Sequence, residues 1–209
     1  MVRVKIYVEG GGDSNSLRTK CHRGFAEFFR KAGLEGRMPR IVACGSRNDA
    51  YDSFCTAISQ ARSDDVPLLL VDSEAPVAEH CGAWTRLRAR DKWERPATAR
   101  EEQAHLMVQC MEAWLVADRE CLTMFYGQGF HENALPQRND VEEIPKTALF
   151  AALKSATRHT RTKGEYDKGD HSFDLLALAD PQRVQAAAPR AAELLTTLVC
   201  IAENGVGPG

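Results

Sequence analysis

The 209 residues, 44% hydrophobic and 27% charged, suit a globular chain that buries a sizeable core without staples. Against 27 basic side chains stand 29 acidic ones, a formal charge of −2, which excludes a general electrostatic affinity for nucleic acid and leaves only local basic patches to consider. The 7 cysteines are odd in number and none are paired at the spacing of a zinc knuckle, so neither a disulfide framework nor a cysteine-rich zinc site is expected. No apolar run approaches the length of a membrane span, and the first residues already alternate as a strand. A reduced, cytoplasmic protein without leader or membrane contact is the expectation.

Val2, Val4, Ile6 and Val8 alternate with residues able to face another layer, which predicts a strand running into Glu9-Gly10-Gly11-Gly12-Asp13. From Ser14 to Ala32 the spacing is helical, with Leu17, Cys21, Phe25, Phe28 and Phe29 on one face, Ser14 or Ser16 as cap and Gly33 at the end. Arg18, Lys20, Arg23, Arg30 and Lys31 make the opposite face basic: a solvated face by default, a phosphate contact as the functional alternative. A second strand, Arg40 to Gly45, and a helix from about Asp49 to Ala61 follow, then the continuously apolar Val66 to Val71, as in a strand covered on both sides.

Residues 75–103 lose all periodicity and are expected to be an insertion or long loop, with Trp84 and Trp93 as packing anchors rather than base-stacking platforms. A fourth strand, Ala104 to Cys110, passes directly into a helix from Met111 to Asp118. Helices are expected again over Ile144 to Ala156, Ser172 to Ala179, and from Pro181 or Pro189 to Ala202, with a polar, basic loop from Arg158 to Gly169 between the first two. The order of elements predicts an α/β fold of Rossmann-like type, a mainly parallel four-stranded sheet flanked by helices. Residues 1–130 would form that unit, and 131–209 a helical extension packed on it.

The acids share one topological address. Glu9 closes the first strand, with Asp13 in its turn; Asp72 and Glu74 close the third, and Glu112 the fourth. Ligand sites in open α/β sheets lie outside the carboxyl ends of the strands. Neighbouring strands are about 4.8 Å apart, so carboxylates at adjacent ends can share an ion. Crowded carboxylates repel one another unless a cation neutralises them, and an all-oxygen set suits Mg²⁺, with Mn²⁺ as a substitute. Asp72 and Glu74 project to one side if Ser73 stays extended. The expected roles are Glu9 as general base at the metal's edge, Asp13, Asp72, Glu74 and Glu112 as ligands, and Lys163 or Lys168 from the basic loop as transition-state cations. Gly10, Gly11, Gly12, Ser14 and Arg47 are expected to touch substrate.

A strand ending in Glu-Gly-x-x-Asp, followed by an apolar strand ending in Asp-x-Asp, resembles the Toprim domain of topoisomerases, bacterial primases, ribosomal-RNA maturases and OLD-type nucleases. Here the second motif reads Asp72-Ser73-Glu74, with a longer arm in the last place. More closely, Val8-Glu9-Gly10-Gly11-Gly12-Asp13, Ile41 to Gly45, Leu70 to Glu74, Met107 to Trp114 and Tyr166-Asp167-Lys168-Gly169 resemble the bacterial DUF4276 family. That resemblance implies a Toprim-like magnesium site and a place among mobile defence genes beside an ABC-type ATPase partner. The reading that follows is a Mg²⁺-dependent nuclease acting on RNA or DNA. A decayed adaptor for an ATPase and a phosphohydrolase of small nucleotides stand as alternatives, and a homodimer is allowed.

Overall fold

The structure, a computed structural model, describes residues 2–12 and 14–204; of Asn204 it describes the backbone alone. Asp13 therefore lies outside the described residues. Alternation in β1 (Arg3–Val8) buries Ile6 and Val8 completely on one side of the sheet. β2 (Arg40–Ala43), β3 (Asp65–Asp72) and β4 (Ala104–Met107) join it in the order β2-β1-β3-β4, every pair parallel. In β3 every residue from Val66 to Asp72 is buried, as the continuous apolar run required, because helices cover both faces. Ile6, Val8, Leu68 and Leu70 belong to the core that includes α1 (Asn15–Phe29) and α4 (Glu112–Ala117). Leu69, Val71 and Leu106 pack instead with Phe54 of α2 (Arg47–Gln60) and Trp84 of α3 (Ala83–Asp91).

The α3 helix corrects the expectation of a loop over 75–103. Only Trp84 and Leu87 of its residues are buried and the rest of its surface is largely basic and polar, so one short apolar edge carries the helix and no periodicity shows. Trp84 and Trp93 are indeed core residues, Trp93 stacked on Tyr51 with ring centroids 4.4 Å apart. After α4 the chain forms a further helix that the periodicity did not announce, α5 (Arg119–Tyr126), started by the Asp118 side chain accepting from Cys121 N. Then come α6 (Lys146–Thr157), α7 (Lys168–Leu178), α8 (Pro181–Ala187) and α9 (Pro189–Asn204). Among the described residues, no helix is long and apolar enough to cross a membrane.

The α7 helix also begins earlier than expected. Asp167 caps it, one carboxylate oxygen accepting from Gly169 N at 2.8 Å and Asp170 N at 3.1 Å, so Lys168 is the first residue of a helix and not part of a basic loop. α7 lies along α1, and the basic face of α1 holds it there. Lys20 Nζ reaches Asp170 O, Arg23 pairs with Asp174, and Lys31 Nζ donates to Leu178 O at 2.6 Å. Three of the five basic residues are thus engaged with α7, while Arg18 and Arg30 remain exposed. Those three tie one helix to the next.

Close approach of the two helices depends on Gly24, where an added Cβ would stand 2.8 Å from Phe173 O. Gly24→Ala is expected to cost about 1–3 kcal/mol through overpacking, read as a lower urea midpoint at unchanged m. A midpoint equal to the parent's would show that α1 and α7 have slack between them.

Candidate metal centre at the strand ends

Glu9 lies one residue beyond β1, its N–H still bonded to Leu70 O of β3 at 3.0 Å. Beyond it the chain turns back through a local antiparallel pairing of Gly10 with Gly45, two mutual N–H···O bonds of 2.9 and 2.8 Å. Gly10, Gly11 and Gly12 all take positive φ, 134°, 85° and 49°. A side chain at Gly11 would meet Ala43 Cβ at 3.0 Å, so the turn needs glycine both for its conformation and for its packing. The Glu9 side chain reaches across to β3, Oε2 accepting from Asp72 N at 3.1 Å.

At the end of β3, Ser73 Oγ accepts from Gln109 N, and Glu74 N donates to Gln109 O at 3.0 Å. Both Glu74 and Gln109 take left-handed backbone, φ 63° and 56°. Such conformations cost about 1–3 kcal/mol each in residues other than glycine and gather where function over-determines the backbone. Glu74 is thus itself not extended. Its carboxylate nevertheless meets the others: one ligand oxygen each from Glu9, Asp72 and Glu74 lies within 4.8 Å of the other two.

Three cations face these acids. Arg47, the first residue of α2, sends Nη1 to Glu9 Oε2 at 3.1 Å and to Asp72 O, while Nε and Nη2 clasp Asp91 of α3 at 3.0 and 2.7 Å. The Arg47 guanidinium thus ties Glu9 and the end of β3 to α3. Lys146, the first residue of α6, places Nζ 2.7 Å from both oxygens of Glu74 and 3.8 Å from Asp72 Oδ2. Lys168 Nζ stands 4.0 Å from Asp72 Oδ2 and 3.4 Å from Glu112 Oε1.

Glu112 has no exposed surface. Its Oε1 accepts from Tyr166 OH at 3.1 Å, and its Oε2 is buried without a partner. A buried carboxylate with one bare oxygen, aimed at the lysine beside Asp72, marks an incomplete set of counter-charges.

Burial dominates the titration of the group. It raises the Asp72 pKa to about 8; Lys168 and Lys146 pull the other way, while the charges of Glu9 and Glu112 add to the rise. Burial also raises Glu9 against the opposing Arg47 guanidinium and Asp72 N–H. For Lys168 burial disfavours the charge, but Glu112 and Asp72 outweigh it and the pKa rises.

A cleft of 270 Å³ opens here, lined among others by Glu9, Gly11, Asp72, Met111, Lys168 and Phe173. Of the remaining expected residues, Ser14 caps α1, its Oγ accepting from Leu17 N at 3.1 Å, and Lys163 stands away from the cleft lining with Nζ 4.5 Å from the centre of the Phe125 ring. Lys146, Tyr166 and Asp91 were missed as members of the site. Pro145 announces a helix start at Lys146, but nothing in the spacing says which way that side chain turns.

A family model described as a domain of unknown function, DUF4276, matches residues 8–199. The chain belongs to the DUF4276 family. No curated protein and no solved structure matches it. The match to DUF4276 spans all four strand-end carboxylates together with Arg47, Lys146 and Lys168. The description names no reaction, so the chemistry of this DUF4276 protein rests on its residues. Carboxylate oxygens of Glu9, Asp72 and Glu74, from two adjacent strand ends and crowded within 4.8 Å, form a set that fits a hard divalent cation.

Proposed function

We propose that this DUF4276 chain is a Toprim-like hydrolase of phosphate esters, a Mg²⁺-dependent nuclease of RNA or DNA serving an anti-phage defence system with an ABC-type ATPase partner. The observation that carries the reading is the meeting of Glu9, Asp72 and Glu74 at the carboxyl ends of β1 and β3. Asp72 and Glu74 would hold the ion, with Glu9 at its edge. Bound there, a divalent ion supplies polarisation of a phosphate oxygen and a water of lowered pKa.

The chain's own groups do the rest. Arg47 and the Asp72 N–H take Glu9 Oε2, which fixes the orientation of the carboxylate and leaves Oε1 as the oxygen to act as base. A carboxylate whose pKa burial has raised is the better base, and Glu9 takes the proton of the attacking water. Lys168, kept charged by Glu112 and Asp72, offsets the negative charge gathering on the phosphoryl oxygens. The glycine turn lets a phosphate approach the backbone between Glu9 and α1.

A second reading, a phosphohydrolase of free nucleotides, draws support from the 270 Å³ of the cleft and from the commitment of Lys20, Arg23 and Lys31 to α7, which leaves less free basic surface beside the site. Purified protein with Mg²⁺ or Mn²⁺ is to be incubated with single-stranded and duplex RNA and DNA and with nucleoside triphosphates, beside Glu9→Gln. Cleavage of polymers, lowered by about 100-fold or more in Glu9→Gln, is expected. Activity on free nucleotides alone would transfer the conclusion to the second reading, and cleavage indifferent to Glu9→Gln would overturn the mechanism.

A further inference from the structure

We infer that Lys146 is a tethered cation of this centre: in the ion-free chain its ammonium fills the place between Glu74 and Asp72, and a divalent ion enters only as the ammonium leaves. The inference rests on the metal reading above and adds the residue that sets the threshold for loading.

The distances state the competition directly. Lys146 Nζ is 2.7 Å from each oxygen of Glu74 and 3.8 Å from Asp72 Oδ2. These are two of the three carboxylates whose oxygens converge within 4.8 Å. A magnesium ion needs its oxygens at about 2.0–2.1 Å, and manganese takes the same hard-oxygen set, so an ion taking a Glu74 oxygen competes with an ammonium that spans both of them.

This is not a casual surface pair, because Gln109 fixes both ends of it. Gln109 Oε1 accepts from Lys146 N at 2.9 Å, and Gln109 O accepts from Glu74 N at 3.0 Å. The Gln109 amide nitrogen is itself tied to Glu142 O at 2.9 Å. Two residues of unusual backbone, Glu74 and Gln109, thus hold the carboxylate and the base of the lysine stem in register.

The two lysines of the site differ in what they can do. Lys168 faces Glu112, a carboxylate with no exposed surface, and cannot leave it without stranding a buried charge. Lys168 is itself the more exposed lysine, 52% against 27%, so the difference lies in the partners: Glu74 keeps 27% of its side-chain surface exposed and Glu112 none, and Glu74 can be left to water. The Lys146 ammonium can therefore swing on its flexible four-carbon stem into water while its backbone stays bonded to Gln109. Lys168 is a permanent charge of the site, whereas Lys146 is a displaceable one.

Two measurements test this. Mn²⁺ binding, followed by the loss of the free-ion EPR signal, is to be compared for the parent, Lys146→Met and Glu74→Gln, each checked for folding by circular dichroism. Lys146→Met is expected to bind on the order of tenfold more tightly than the parent, and Glu74→Gln more weakly. Equal affinity in the parent and Lys146→Met would overturn the tethered-cation inference and leave the metal reading standing. No binding by either would overturn both.

The second measurement needs no variant. Acetylation of Lys146 in the parent, read by peptide mass spectrometry, is expected to rise several-fold when Mg²⁺ or Mn²⁺ is added, since the amine leaves its carboxylate partners. Unchanged or reduced labelling in an ion-loaded chain would overturn the inference independently.

Discussion

Asp72→Asn is expected to melt higher than the parent in metal-free buffer at pH 8.5, and to lose all thermal response to divalent ions. Asp72 is buried, and its pKa stands near 8, well above the ordinary range of an aspartate. A raised carboxyl pKa means that the folded chain favours the protonated form. The stability this confers is complete below the ordinary value and is lost as pH rises through about 8. Metal-free parent should therefore weaken between pH 5 and pH 9, and the asparagine variant should show a flatter profile.

The substitution keeps the local geometry, because an amide oxygen can still accept from Met111 N as Oδ1 does at 3.0 Å. Lys168 retains Glu112 and Lys146 retains Glu74, so no cation is left stranded. At pH 8.5 an amide in its place also removes a charge that burial, Glu9 and Glu112 all oppose. With divalent ion at 100 times its Kd the parent should gain about 2.7 kcal/mol, or roughly 5–10 °C in Tm for a chain of this size, and Asp72→Asn nothing. A variant that melts lower and still responds to the ion would show that Asp72 is a structural acid and no ligand.

Trp114→Ala is expected to cost about 3–5 kcal/mol, read as a fall in urea midpoint with m unchanged. Trp114 has no exposed surface and meets Phe25 edge-on at 6.4 Å and Phe28 face-on at 5.6 Å between ring centroids. It sits two residues after Glu112 in α4, so the cavity would open beneath the helix that brings the buried carboxylate to Lys168. Its Nε1 is buried without a hydrogen-bond partner, which already costs the parent something. Trp114→Phe should therefore lose much less, about 1 kcal/mol, because the orphan N–H goes with the lost area. Equal losses in the two variants would mean that the N–H has a partner in solution.

The strands and their acidic ends were legible because both signals are local. Alternation in Val4, Ile6 and Val8 and the unbroken run from Val66 to Val71 each describe what covers one strand. The carboxylates follow immediately in the chain. What escaped was set by contacts between distant residues. Lys146 lies 74 positions beyond Asp72, and a lysine at a helix start reads the same whether it points at water or at aspartate.

The α3 helix was illegible for a related reason. It is amphipathic only over Trp84 and Leu87, yet Asp91 and Arg86 hold Arg47 and Ser73 O at the end of β3. The start of α7 did carry a local signal, Asp167 before Lys168-Gly169-Asp170, which the helix-unfriendly glycine obscured.

The late arrival of Lys168 has a consequence for the chain while it is being made. β1 and β3 are complete by residue 72, but the cation that faces Asp72 and Glu112 comes with α7, clamped to α1 by Lys20, Arg23 and Lys31. Synthesis proceeds from the amino terminus at about 5–20 residues per second, so a growing chain carries the glycine turn and its acids for seconds before the opposing lysine emerges. A product ending before α7 would hold the acids without this lysine.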